Sequence, residues 1–318
     1  MTLDEILKEA NKAETILILA HENPDGDAIG SSLGLCLALQ NMGKKAEVLM
    51  TEYPANFSFL PGIENIKKEA SFEKYDMAIV VDCPDIKRVN SVYIPYFENA
   101  KVTAEFDHHS KNSMFANYNI VNHVSPACAQ ILMSSFEYLN IDITKDIATC
   151  LLTGIITDTG GFKNSGITAE TFEFAAWALT KGVNVSKIYR ESMMVTTKTK
   201  FESQKLAMER LELSEDGKVA FTYMTKEDDE RIGIETGDHD GIVEIGRNII
   251  GVEVSIFIYQ KEDGSFKASL RSNDFVDVAD VCMMFGGGGH IRAAGCNLEL
   301  PLEEAKKAIL SEVKKHIK

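Results

Sequence analysis

Apolar residues fall along this chain in two rhythms. Short, nearly unbroken apolar runs, Ile16-Leu17-Ile18-Leu19-Ala20, Met77-Ala78-Ile79-Val80-Val81 and Val102-Thr103-Ala104-Glu105-Phe106, interrupt stretches whose apolar positions recur at helical spacing. Runs of that length read as strands covered on both faces, and the intervening periodicity as helices packed against them. The pattern predicts helices over residues 2–13 and 27–42 and strands over 15–20, 46–50, 76–81 and 101–106. That is the βαβ rhythm of a parallel sheet with helices on both faces. Helical periodicity then dominates around 126–140, 144–157, 168–181 and 185–193, with Gly43 and Gly182 standing where helix C-caps belong.

Residues 197–213 contain neither glycine nor proline and keep helical spacing, which suits a helical connector over 191–213 rather than a flexible linker. A smaller α/β domain is expected from 214 to 318, after a first domain over 1–190. Its predicted elements are strands at 219–224, 251–260 and 265–271, helices at 225–232, 238–249, 277–284 and from 301, and a loop at Gly286-Gly287-Gly288-Gly289-His290.

Composition narrows the function classes. With 45% hydrophobic and 25% charged residues in 318, the chain has the make-up of an ordinary globular protein. No apolar run approaches a membrane span, and Met1-Thr2-Leu3-Asp4-Glu5 lacks the basic flank of a signal peptide, so a cytoplasmic protein is expected. Cys36, Cys83, Cys128, Cys150, Cys282 and Cys296 include no C-x-x-C pair and read as reduced, mostly buried thiols. A formal charge of -15 argues against a surface that tracks long nucleic acid, because such affinity comes from many Lys and Arg contacts to phosphate.

Candidate chemistry gathers at the ends of the apolar runs. His21-Glu22-Asn23-Pro24-Asp25-Gly26-Asp27 follows the first, Asp82 the second, and Asp107-His108-His109 the third, while Asp158 ends the helix-like run from Ile147. In a parallel sheet three of these clusters converge outside the carboxyl edge, and together the four could cage two divalent metals. Each cluster alone has a plainer account: Asn-Pro-Asp-Gly is a turn sequence, Asp27 could cap the following helix, and Asp82 and Asp158 could be turn or helix-end residues. Paired histidines after a strand are more specific, since an adjacent carboxylate can fix their tautomers. In the second domain, glycines 286–289 could let backbone amides approach a phosphate, with Arg271 and His290 as donors. His123, His239 and His316 fit no motif and read as solvated or packed.

The order of these clusters resembles the DHH phosphoesterase superfamily, which includes RecJ-like exonucleases, family II pyrophosphatases, cyclic-dinucleotide phosphodiesterases and nanoRNase/pAp phosphatases. Ser269-Leu270-Arg271-Ser272, the Gly286–His290 loop and Ala293-Ala294-Gly295 are similar to the DHH-associated C-terminal domain. The resemblance implies that His21, Asp25 and Asp82 bind one metal and Asp27, Asp82, His108 and Asp158 the other. Asp82 would bridge, His109 would face the phosphate or leaving oxygen, and Asp107 would orient the histidines. It implies manganese, with magnesium or cobalt as alternatives, and a clamp of Arg271, Ser272, Gly287, Gly288, Gly289 and His290. Two cations about 3.5–4 Å apart activate a shared water and stabilise charge on attacking and leaving oxygens.

Within the superfamily the chain is most similar to nanoRNase/pAp phosphatases. The implied function is hydrolysis of very short oligoribonucleotides to mononucleotides and removal of the 3'-phosphate of adenosine 3',5'-bisphosphate (pAp). Hydrolysis of cyclic di-AMP or its linear product pApA is the alternative, followed by a RecJ-like exonuclease and a nucleotide sensor with a vestigial metal site. A homodimer is compatible with the resemblance and no membrane partner is expected.

Overall fold

The computed structural model describes residues 3–164, 166–234, 239 and 241–317. The chain forms two compact units, Met1–Val195 and Thr196–Lys318. Thr2, Asp238 and Asp240, part of the predicted helices 2–13 and 238–249, lie outside the described residues.

In the first unit the order is α1 (Leu3–Lys12), β1 (Thr15–Leu19), α2 (Gly26–Asn41), β2 (Lys45–Leu49), β3 (Ile66–Lys67), β4 (Met77–Val81), α3 (Ile94–Glu98), β5 (Val102–Asp107), β6 (Tyr118–Val121), α4 (Cys128–Tyr138), α5 (Lys145–Asp158), α6 (Ala169–Thr180) and α7 (Val185–Tyr189). The six strands lie parallel in the order β3-β2-β1-β4-β5-β6. Alternation of side chains divides each central strand between two layers. Ile16 and Ile18 of β1 enter the layer built with α2, α4 and α5, while Leu17 and Leu19 enter a smaller one with Tyr75, Tyr93 and Phe97. Helical segments therefore cover both faces. The edge strands β3 and β6 escaped the sequence reading: β3 has two residues, and Tyr118-Asn119-Ile120-Val121 is only partly buried throughout.

Glycine sets the approach of α2 to α5. A Cβ on Gly30 would lie 2.5 Å from the carbonyl oxygen of Cys150, and one on Gly154 would lie 2.6 Å from Asp27 Oδ1. The acidic start of α2 is thereby packed directly against α5.

The second unit runs α8 (Lys198–Glu209), β7 (Glu212–Leu213), β8 (Val219–Met224), α9 (Lys226–Ile232), α10 (Ile242–Arg247), β9 (Val254–Gln260), β10 (Phe266–Ser272), α11 (Val278–Met283), β11 (Gly288–His290), β12 (Ala293–Leu298) and α12 (Leu302–His316). Its six-stranded sheet, β11-β12-β10-β9-β8-β7, is antiparallel except between β8 and β9. One apolar layer joins it to α11 and α12 and another to α8 and α10. The predicted loop 286–290 differs from the structure, since Gly288–His290 pairs with Ala293–Gly295 as a hairpin strand. Residues 198–209 of the expected connector form α8, which packs within this unit. All six cysteines are buried and unpaired, and no helix among the described residues is long and apolar enough to cross a membrane.

Candidate metal centre

The strands β1, β4 and β5 are neighbours, so the residues that follow them share one edge of the sheet. His21 stands just past β1, Asp82 directly follows β4, and Asp107 is the last residue of β5, with His108 and His109 behind it. From the helical layer α2 brings Asp27 in its first turn, and α5 brings Asp158 as its last residue.

Asp82 joins these groups. Its Oδ2 lies 3.7 Å from His21 Nε2, which is 3.9 Å from Asp25 Oδ2. Its Oδ1 lies 3.3 Å from His108 Nε2, which is 3.6 Å from Asp158 Oδ2. Among the described residues three sets of potential ligand atoms, His21–Asp25–Asp82, Asp27–His108–Asp158 and Asp82–His108–His109, each fall within 4.8 Å of one another. Asp82 also sits at φ 52°, in the left-handed region that few residues other than glycine, asparagine and aspartate adopt readily.

Asp25, rather than Asp27, caps α2: its Oδ1 accepts from the amides of Asp27 and Ala28 at 3.0 and 3.1 Å. Asp27 is buried against the start of α4, where its oxygens accept from the amides of Cys128 at 2.6 Å and Ala129 at 2.9 Å and from Ser31 Oγ at 3.1 Å. The positive end of the α4 dipole favours this carboxylate. Asp158 has the opposite placement, at a helix C-terminus, where negative charge is disfavoured.

The electrostatics call for cations. Burial, then Asp82 and Asp158, pushes Asp27 well above the usual carboxylate range. Burial, then repulsion from Asp82 and Asp25, outweighs His108 and raises Asp158 to about 6. Burial would lower His108, but the carboxylates of Asp82, Asp27 and Asp158 outweigh it and push it up to about 10. Asp82 Oδ1 is buried and accepts no well-formed hydrogen bond; its near cationic neighbour is His108 Nε2 at 3.3 Å, which leaves a buried carboxylate oxygen under-satisfied. Carboxylate and imidazole donors around that oxygen fit divalent metal ions that accept mixed oxygen and nitrogen ligands.

His109 is held differently. Its Nδ1 is 2.7 Å from Asp107 Oδ1, and its amide donates to Asp107 Oδ2 at 3.2 Å. The hydrogen bond His109 donates to the Asp107 carboxylate raises His109. Burial pushes Asp107 up, but hydrogen bonds from His109 and Asn112 outweigh it and keep the carboxyl below its usual range. Asp107 is thus an ionised acceptor that fixes the proton on Nδ1 of His109. The sequence reading missed Ser31, the α4 amides and Asn112. Asn112 carried no signal beyond lying three residues after His109.

In the second unit, Arg271 donates through Nε to Glu244 at 3.0 Å and through Nη1 to the carbonyl of Leu270 at 3.0 Å. A guanidinium has five donors, and these bonds to described residues use two of them. Ser272 is buried, with its hydroxyl donating to the carbonyl of Val276 at 2.6 Å, so it closes the turn behind Arg271. The amides of Gly286 and Gly287 cap the end of α11, while Gly288, Gly289 and His290 are exposed. Glycine is required at 287, where a Cβ would fall 2.3 Å from the carbonyl oxygen of Gly295.

A family model described as "DHH family, N-terminal domain" matches residues 15–155, and a "DHHA1 domain" model matches residues 216–318. The bifunctional oligoribonuclease and PAP phosphatase NrnA of Thermus thermophilus is 31% identical over 304 residues, covering 95% of this chain and 90% of that protein. The cyclic-di-AMP phosphodiesterase PdeA of Listeria monocytogenes is 24% identical, over 95% of this chain and 48% of that protein. Among solved structures, an exopolyphosphatase-related protein from Bacteroides fragilis superimposes with a TM-score of 0.88 at 26% identity, covering 98% of this chain and 95% of that one.

Proposed function

The chain belongs to the DHH family, with a DHHA1 domain after the DHH domain, and from that premise we propose that it is a metal-dependent phosphoesterase acting on very short nucleotides. Its reactions are hydrolysis of oligoribonucleotides to mononucleotides and removal of the 3'-phosphate of pAp. The observation that carries the phosphoesterase reading is the division of the two Asp82 oxygens between the His21–Asp25 and His108–Asp158 groups. The substrate class is supported by the likeness of both units to the Thermus protein along nearly its full length.

His21, Asp25 and Asp82 would hold one manganese ion and Asp27, Asp82, His108 and Asp158 the other. Bound there, the pair supplies an activated water and neutralises charge on the phosphoryl group. His109 acts beside it. With Nδ1 tied to Asp107, a protonated His109 offers Nε2–H to a phosphoryl or leaving oxygen, where charge develops as the ester bond breaks. Arg271 and His290, with the exposed Gly288 and Gly289, would grip another phosphate or base of the substrate, while Gly287, whose amide already bonds Cys282, shapes the loop and Ser272 braces the Arg271 turn. Such a grip provides binding energy in ground and transition states alike. The cytoplasm suits an enzyme of this kind with six unpaired thiols.

Hydrolysis of cyclic di-AMP or pApA is the second reading, favoured by the match of the chain to the Listeria phosphodiesterase. A product-resolved assay with manganese, run side by side on pAp, di- to pentanucleotides, pApA and cyclic di-AMP, separates the two. The leading reading expects highest kcat/KM on pAp and dinucleotides; a preference for cyclic di-AMP refutes it. Arg271→Ala should raise KM several-fold more than it lowers kcat. Efficiency should fall beyond about five nucleotides with a shallow salt dependence, since few phosphates are contacted. Efficiency that climbs up to twenty-four nucleotides with a steep salt slope would instead indicate a RecJ-like exonuclease.

A further inference from the structure

Asn112 makes the most tightly determined set of contacts near the centre that the mechanism leaves unused. Its Oδ1 accepts from the amide of Met114 at 2.6 Å, and its Nδ2 donates to Asp107 Oδ2 at 2.7 Å and to Glu105 Oε1. A backbone amide can only donate, so the bond from Met114 fixes which end of the Asn112 amide carries oxygen. The two N–H groups must then face the two carboxyls. Glu105 and Asp107 are both fully buried and, two apart on β5, point to the same face of the sheet. Side by side without a donor between them they would repel. The neutral amide gives one N–H to each.

Asp107 consequently has its two oxygens assigned to different tasks. Oδ2 is taken by Asn112 and by the His109 amide, and Oδ1 is left for His109 Nδ1 at 2.7 Å. We propose that Asn112 is a positioning residue for His109: anchored on Glu105 and Met114, it locks the Asp107 carboxylate in the rotamer that holds Nδ1 and leaves Nε2 to the substrate phosphate. The inference rests on the role given to His109 above. Without Asn112, Asp107 loses one donor and gains an unshielded neighbour in Glu105, and the imidazole loses its fixed support.

A double-mutant cycle on the full chain tests this, with manganese and pAp. Supporting residues of this sort typically matter by about 10–100-fold. Asn112→Ala should lower kcat at least tenfold with KM within twofold and manganese stoichiometry unchanged. In a His109→Ala background, Asn112→Ala should change kcat by less than twofold, because the group it positions is gone. Losses that multiply in the double variant would show that Asn112 acts on the fold or the metal ligands, and would overturn the proposal. So would an Asn112→Ala enzyme with wild-type kcat. If Asn112→Ala does not fold, the cycle is run with Asn112→Ser, which retains a donor and should recover part of the activity, under the same criterion of non-additivity. His109→Ala alone separates the two failures: wild-type activity there removes the role of His109 itself, whereas additivity with His109→Ala impaired removes only that of Asn112.

Discussion

Asp82→Asn changes one charge at the point where both ligand groups meet. Asparagine keeps the shape of the side chain and tolerates the φ of 52° at this position, whereas alanine would add about 1–2 kcal/mol of left-handed strain. The fold should therefore survive. In metal-free protein the substitution removes a charge that raises both Asp27 and Asp158 but also the chief partner of protonated His108, so the two effects oppose each other and the melting temperature should move little. With metal the two proteins should diverge. Manganese at a hundred times its Kd stabilises the wild type by about 2.7 kcal/mol, and a unit the size of Met1–Val195 moves by roughly 2–4 °C per kcal/mol. The expected rise is about 5–11 °C. Because Oδ2 serves the His21 side and Oδ1 the His108 side, Asp82→Asn should lose most of it. Metal ions contribute several kcal/mol to transition-state charge stabilisation, which at about 1.4 kcal/mol per tenfold makes the loss in kcat at least roughly a thousandfold. Calorimetry with and without manganese, alongside turnover of pAp, measures both quantities. A variant that keeps the manganese-induced rise and stays within tenfold of wild-type kcat would refute the bridging role.

His109→Ala should bind manganese with wild-type stoichiometry while losing turnover, and His108→Ala should lose an ion; a titration giving the reverse would exchange their roles. Gly154→Ala would put a methyl carbon 2.6 Å from Asp27 Oδ1 and 2.7 Å from Ala129 Cβ, an overpacking cost of about 1–3 kcal/mol, with manganese affinity at least tenfold weaker by calorimetric titration. Unchanged affinity would show that the α2–α5 approach does not set the ligand geometry. In the second unit, burial pushes Asp228 up, but hydrogen bonds from Arg210 and Thr225 hold it below the usual range. A depressed folded pKa gives stability that is complete above about pH 4 and lost as pH falls through the folded value. Asp228→Asn should therefore lower the melting temperature at pH 7, the deficit shrinking below about pH 4; a deficit independent of pH would assign it to packing.

Much of the first unit was legible because burial on both faces writes a nearly continuous apolar run into each central strand. The carboxyl-edge rule then carried His21, Asp82 and Asp107 to one place before any coordinates. The short edges of the two sheets were not legible. Strand β6 is only partly buried, and the glycines of β11 and the Ala-Ala-Gly start of β12 have no strand propensity of their own; pairing with a neighbour makes them strands. Residue types at strand ends thus determined which side chains could bind metal, since a parallel strand buried on both faces can release polar groups only where it meets solvent. Tertiary structure alone decided how those side chains are held. Asp27 takes its donors from Cys128 and Ala129, 101 and 102 positions away, and reaches them because glycines let α2 and α5 close on each other. Contacts between residues so far apart leave no local periodicity, because their energy depends on the folded path between them and not on the neighbours of either residue.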